Sequence, residues 1–160
     1  KDGFMERMRG KSNLVRQINT VRGVQNIMML MVLGGVFDRH PELRVICVEA
    51  DAGWVPHFKF RLDHAYERHR HPLSTTELER MPGEYVDENI YVTFQDDYSV
   101  KYVAGGLEMS RVLWATDFPH SDGTYPHTRA VIEQVTEGLS ARDRDRLLRD
   151  NAAALYGIAL

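Results

Sequence analysis

Cysteine is nearly missing from this chain. Cys47 is the only one in 160 residues, and it lies inside an apolar run, so an intrachain disulfide is excluded and a reducing, cytoplasmic setting is expected. Long apolar runs are missing as well: the longest, Ile27 to Val36, is far short of the roughly 20 residues a spanning helix needs and carries glycines at its end, which excludes a membrane segment. No charge sign dominates, because 20 Lys and Arg stand against 23 Asp and Glu, interspersed, for a formal net charge of -3. Without a basic face, or basic and aromatic residues interleaved, nucleic acid is excluded as a partner. Repeats, linkers and low-complexity stretches are absent too. The chain starts at Lys1 without a methionine, and its first residues lack the charged, apolar, small order of a secretory signal. A truncated or processed product is the expectation.

What is present suits one globular domain with a real core, at 43% hydrophobic and 27% charged residues. Residues 1–19 are polar and basic, with Arg7, Arg9, Lys11 and Arg16, and form an arm ahead of the domain at 20–160. From Thr20 to Phe37 the apolar positions Val21, Val24, Ile27, Met28, Leu30, Met31 and Val32 follow helical spacing, which Gly34-Gly35 weakens. After a turn at Arg39 to Glu42, the apolar run Leu43 to Val48 has the length of a strand buried on both faces. It ends at Glu49. A helix is expected from Trp54 to Arg70, with Pro56 in its first turn and Pro72 closing it.

A short polar helix near Thr75 to Arg80 and a turn at Pro82-Gly83 precede a second strand, Asn89 to Phe94, which ends at Gln95-Asp96-Asp97. A helix from Ser99 to Met109 leads to a third strand, Arg111 to Ala115. The loop Thr116 to Tyr125 passes to a helix beginning at Pro126. Ser140 with Asp143 resembles a capping box, and Asn151 to Tyr156 makes a final helical turn. Strands alternating with helices imply an α/β fold with a parallel sheet, in which chemistry gathers at the carboxyl ends of the strands. Those ends are Glu49, Gln95 to Asp97, and Asp117.

Asp117 follows Val112-Leu113-Trp114, so its carboxylate emerges at the mouth of the sheet, where a hard oxygen donor can hold a divalent cation. The alternative is a local cap on the turn before Pro119. His120 and His127 flank the same loop and are available as ligands or acid-base groups. Glu49 ends the most apolar strand, where a buried carboxylate is costly unless paired or coordinating a metal; a salt bridge with Arg61 or Arg68 is the other reading. His69-Arg70-His71 continues a polar helical stretch and reads as a solvated helix end, and His57 and His64 pack or cap.

Three segments, Gly34 to Pro56 (GGVFDRHPELRVICVEADAGWVP), Leu113 to Thr124 (LWATDFPHSDGT) and Asn151 to Gly157 (NAAALYG), resemble in order and separation the amidohydrolase-related family. That family comprises metal-dependent hydrolases and decarboxylases of the aminocarboxymuconate-semialdehyde decarboxylase type. The resemblance implies the C-terminal part of a (β/α)8 TIM-type barrel, about three parallel strands with their helices. It implies Asp117 as metal ligand, with Asp117, Glu49 and His120 as catalytic residues and Trp54, Gln95 and Asp96 as substrate-binding residues. Glu49 stands where decarboxylases of the family commonly carry histidine.

A divalent cation, zinc or manganese, and a small carboxylate substrate are implied in turn. Decarboxylation and hydrolysis are both open: Asp117 would deliver a proton to a ring carbon in the first and take one from water in the second. The competing class is a noncatalytic partial barrel, an association module that needs a partner. A homo-oligomer or a missing N-terminal barrel half is expected, since three strands leave sheet edges uncovered.

Overall fold

The computed structural model describes residues 19–73 and 77–160. The N-terminal arm, up to residue 18, and Thr75 and Thr76 of the expected polar helix lie outside the described residues, and Glu77 to Arg80 are not helical. Helix α1 spans Thr20–Leu33 and buries Met28 and Val32. It does not continue to Phe37: the chain breaks at Gly34-Gly35 and turns once more in α2, Val36–Arg39, which buries Phe37. Strand β1, Val45–Cys47, follows. Contrary to expectation it is not buried on both faces, because Val45 and Ile46 are half-buried and Val48 is exposed. Cys47 itself is buried, and burial pushes its thiol up to about 11, so it serves as a packing residue rather than a nucleophile.

Helix α3, Val55–His69, carries Pro56 in its first turn and packs Val55, Leu62 and Tyr66 inward. Its basic C-terminal turn, Arg68 and His69, complements the helix dipole. Pro82-Gly83 is not a turn but the first turn of α4, Pro82–Asn89. The reason is tertiary. Asp63 on α3 accepts the Gly83 N–H at 2.6 Å, and Glu84 reaches back to accept the Met81 N–H at 2.8 Å, so donors a helix start leaves open are satisfied. Lys59 on α3 clasps the Asp87 carboxylate at 2.5 Å, fixing α4 against α3.

Strand β2, Ile90–Phe94, is the central strand, buried at Ile90, Tyr91, Val92 and Phe94. The expected helix Ser99 to Met109 is instead α5, Val100–Val103, followed by 3-10 turns at Ala104–Gly106 and Met109–Arg111, since Gly105 and Gly106 do not sustain a helix. Strand β3, Val112–Trp114, then leads through a long loop to α6, Thr128–Thr136. This helix begins two residues later than expected because His127 N–H closes a turn onto Thr124 O at 2.8 Å across Pro126. Ser140 accepts the Asp143 N–H at 3.1 Å and starts α7, Ala141–Asp145, as its spacing implied. A π-helical turn, Arg146–Asp150, joins it to α8, Asn151–Tyr156.

The sheet order is β1-β2-β3, all parallel. Val92 pairs with Cys47 on one side and Val112 on the other, so the strands run in one register and their carboxyl ends share an edge. Val92, Phe94, Cys47 and Val112 join Met28, Phe37, Val55, Leu62, Tyr85 and Leu147 in one core between sheet and helices. No helix among the described residues is long and apolar enough to cross a membrane.

Asn151 secures β3 from below. It is buried, and its Nδ2 donates to Met109 O at 2.6 Å and Val112 O at 2.7 Å. Asn151→Ala strands two carbonyls and should lower stability by about 2–4 kcal/mol, at roughly 1–3 kcal/mol for each buried unsatisfied group. Urea unfolding checks it, and a loss below about 0.5 kcal/mol would mean that water replaces the amide.

Candidate metal centre and active site

The carboxyl ends of β1 and β3 bring three chemically active side chains together. One ligand atom each from Glu49, Asp117 and His120 lies within 4.8 Å of the others. His120 Nδ1 is 2.8 Å from Asp117 Oδ1 and 4.0 Å from Glu49 Oε1. A carboxylate can only accept, so the ring nitrogen carries the proton between His120 and Asp117. The side chains are 54%, 11% and 66% exposed for Glu49, Asp117 and His120, which makes Asp117 the enclosed member and His120 the solvent-facing one. The hydrogen bond to Asp117, its negative charge and, more weakly, that of Glu49 hold the His120 imidazolium above its ordinary range.

The loop geometry explains this meeting. Glu49, Asp51 and Asp117 all have positive φ, at 56°, 56° and 54°, a region that residues with a Cβ adopt at a cost and only when surroundings impose it. After Asp117 the loop turns at once, His120 N–H donating to Asp117 O at 2.9 Å, and Thr124 N–H closes it onto Thr116 O at 2.9 Å. Asp117 therefore does shape a turn as well as face the cluster. Gly123 is needed for that return, since a Cβ there would lie 2.9 Å from the carbonyl oxygens of Thr116 and Asp117.

Glu49 departs from expectation. It is not a buried carboxylate, because β1 ends at Cys47 and the next residues leave the sheet; its charged neighbour among the described residues is His120, not Arg61 or Arg68. Trp54 is half-buried, its indole N–H donating to Ala50 O at 2.6 Å and Asp51 O at 3.0 Å and its ring edge-on to Phe58, so its polar atom holds the loop. Gln95 is buried, and its carbonyl accepts the Trp114 indole N–H at 2.7 Å. Asp96 is exposed beside this edge. His127 lies outside the cluster, at the N-terminus of α6. His69 and His71 are exposed at the end of α3, as their helical context implied.

Asp51 was not singled out from the sequence. It is half-buried, and burial first, then the charges of Asp97, Asp96 and Asp122, push its carboxyl up to about 6. The alternation Glu49-Ala50-Asp51 in a small-residue loop was the available signal. Asp97, at the expected end of the second strand, has a role that local pattern does not show: its carboxylate accepts the backbone N–H groups of Ala52 and Gly53.

Fold and site together describe part of a parallel α/β barrel with a carboxylate–histidine cluster at the carboxyl ends of its strands. The chain belongs to the amidohydrolase family, whose pattern it matches over residues 24–158. It is 27% identical over 129 residues to the gamma-resorcylate decarboxylase of Rhodococcus jostii (strain RHA1), an overlap of 79% of this chain and 37% of that one. In structure it is similar to 5-carboxyvanillate decarboxylase from Sphingomonas paucimobilis, with a TM-score of 0.70, 22% identity, and coverage of 82% of this chain and 38% of that chain. It is also similar to a dihydroxybenzoic acid decarboxylase from Polaromonas sp. JS666, solved with manganese and the inhibitor 2-nitroresorcinol, with a TM-score of 0.67, 21% identity, and coverage of 86% and 41%. The chain thus spans well under half the length of these relatives, and its three strands are part of a TIM-type barrel, as the sequence implied.

The Asp51 shift has a definite sign. A carboxyl held near 6 in the folded chain, against 3.8 ordinarily, binds a proton more tightly when folded, so its contribution favours folding at low pH and is lost as pH rises from about 4 through 6. Asp51→Asn, which tolerates the left-handed backbone, should flatten that loss and leave the variant about 1–2 kcal/mol more stable than the parent at pH 7.5, after discounting for solvent screening. Urea unfolding at pH 4.5 and 7.5 tests this, and parallel profiles for the two proteins would contradict it.

Proposed function

We propose that this chain is the barrel portion, from residue 20 on, of a divalent-metal-dependent carboxy-lyase acting on a small aromatic carboxylate. The observation that carries the proposal is the convergence of Glu49, Asp117 and His120 at one edge of the parallel sheet. Two carboxylates are oxygen donors that suit manganese or zinc and leave positions for a substrate, and the imidazole beside them is placed as an acid-base group. Decarboxylase relatives, one holding manganese, favour this chemistry over hydrolysis.

Glu49 and Asp117 would hold the cation by their oxygens. When bound, the cation would supply Lewis-acid charge to orient and neutralise a substrate carboxylate. His120 then serves as the proton donor in place of Asp117. Its Nδ1 is held by Asp117, while Nε2 has no hydrogen-bond partner among the described residues and is available to the substrate. A proton delivered from Nε2 to the ring carbon bearing the carboxylate lets the C–C bond break, its electron pair restoring the aromatic ring as carbon dioxide leaves. The imidazole regains its proton from water. Gln95, Asp96 and Trp54 would line the substrate side, Trp54 through its ring, because its N–H is committed to the loop.

One observation favours a second reading, an association module: β1 and β3 each have an outer edge without a strand partner among the described residues. In that reading the edges pair with further barrel strands or with a second copy. A monomer by sedimentation would count against self-pairing.

Titration with Mn2+, followed by water-proton relaxation, should show about one site, and Asp117→Ala should weaken it by about 10-fold or more. His120→Gln should leave Mn2+ affinity within about threefold while lowering release of carbon dioxide from 2,6-dihydroxybenzoate by about 100-fold, the usual scale of one acid-base group. A wild-type chain that binds no Mn2+ would sink the catalytic reading.

A further inference from the structure

The loop that carries Glu49 is gripped from the neighbouring strand. Thr93 in β2 accepts the Glu49 N–H on its hydroxyl oxygen at 3.0 Å. Just past the end of β2, Asp97 Oδ2 accepts the Ala52 N–H at 3.1 Å and the Gly53 N–H at 2.7 Å. Its other oxygen, Oδ1, accepts the Ser99 N–H at 3.0 Å and the Ser99 hydroxyl at 2.5 Å. Both carboxylate oxygens are therefore committed, and the side chain cannot swing without breaking several charge-assisted bonds at once.

Between these two grips lie Glu49 and Asp51, both in the left-handed region. That path is unfavourable for residues with a Cβ and persists only under restraint from outside the segment. Trp54, packed against the core at the start of α3, restrains the loop through the Ala50 and Asp51 carbonyls, and leaves the Ala52 and Gly53 amides to Asp97. Thr93 fixes only the near end. The packing at the far end is close: a Cβ on Gly53 would overlap Ser99 Oγ and lie 2.9 Å from Asp97 Oδ2.

We propose that Asp97 is a positioning residue for the cation site: by holding the Ala52 and Gly53 amides it keeps the β1 loop on the left-handed path that presents Glu49 to Asp117 and His120. The proposal rests on the cation reading above. Among the described residues the hydrogen bonds of Asp97 go to Ala52, Gly53 and Ser99, not to the cation donors, so it acts through the loop. Its neighbour Asp96, exposed at the same edge, makes none of these contacts.

The test compares the whole chain with Asp97→Asn and Gly53→Ala by amide hydrogen exchange and by Mn2+ titration. Asp97→Asn is nearly isosteric but has one acceptor oxygen where two are needed. Gly53→Ala breaks the same contact sterically and keeps the Asp97 charge. In both variants exchange at residues 49–53 should speed up by about 10-fold, with helical circular dichroism retained, and Mn2+ affinity should fall by about 10-fold, the scale on which a supporting residue affects a metal site. Weakened Mn2+ binding in Asp97→Asn alone would show that only charge matters and would overturn positioning. Faster exchange with unchanged affinity would overturn it as well, and unchanged exchange in both variants would remove the clamp. A wild-type chain without Mn2+ affinity would remove the cation reading itself and the positioning role with it, leaving exchange at residues 49–53 to decide whether the clamp exists.

Discussion

The parallel pairing of β2 with both neighbours is the constraint from which the rest follows. The parallel register that pairs Val92 with both neighbours places Cys47, Val92 and Val112 in one row, so the loops after β1 and β3 leave the sheet on the same edge. Parallel strands require a long connection between them, and the helices in those connections supply the apolar cover of the core. Glu49 and Asp117 are far apart in sequence, yet this topology leaves their loops facing one another across the end of β2. An antiparallel β2 between the same neighbours would have sent its own carboxyl end, with Asp97, to the opposite edge, away from the β1 loop.

The mouth of the sheet concentrates negative charge. Glu49, Asp51, Asp96, Asp97, Asp117 and Asp122 stand on the loops at that edge, and burial together with this crowding raises the Asp51 carboxyl. Two of the acids are compensated by local donors: backbone amides and Ser99 for Asp97, the His120 ring for Asp117. Compensation by neutral amides leaves the charge in place while orienting it, so the edge retains an excess of negative potential of the kind that attracts a cation. Conformational strain is gathered at the same place, since Glu49, Asp51 and Asp117 all take the left-handed backbone.

Local pattern was a good guide where one element decides its own fate. The helical spacing of Val24, Met28 and Val32, the β-branched runs at β1 to β3, and Ser140 before Asp143 all gave elements close to those observed. It failed where a distant residue intervened. Pro82-Gly83 is a good turn former by itself, but Asp63 from α3 caps the Gly83 amide and makes it a helix start. Glu49 looked buried because it follows an apolar run, whereas the sheet ends two residues earlier. Asp97 stood at an expected strand end, but only the fold shows which amides it reaches.

The amino-acid sequence by itself determined the α/β alternation, the family resemblance and the identity of Asp117, Glu49 and His120 as candidates, because those depend on periodicity, on segments in a fixed order and on residue type at short spacings. Which carboxylates meet, which one is enclosed and which one only braces a loop were decided by the tertiary structure. The meeting of Asp117 with Glu49 and the reach of Asp97 to Ala52 and Gly53 depend on strand order and register. Those are set by long-range hydrogen bonds and core packing, and no local window of sequence contains them.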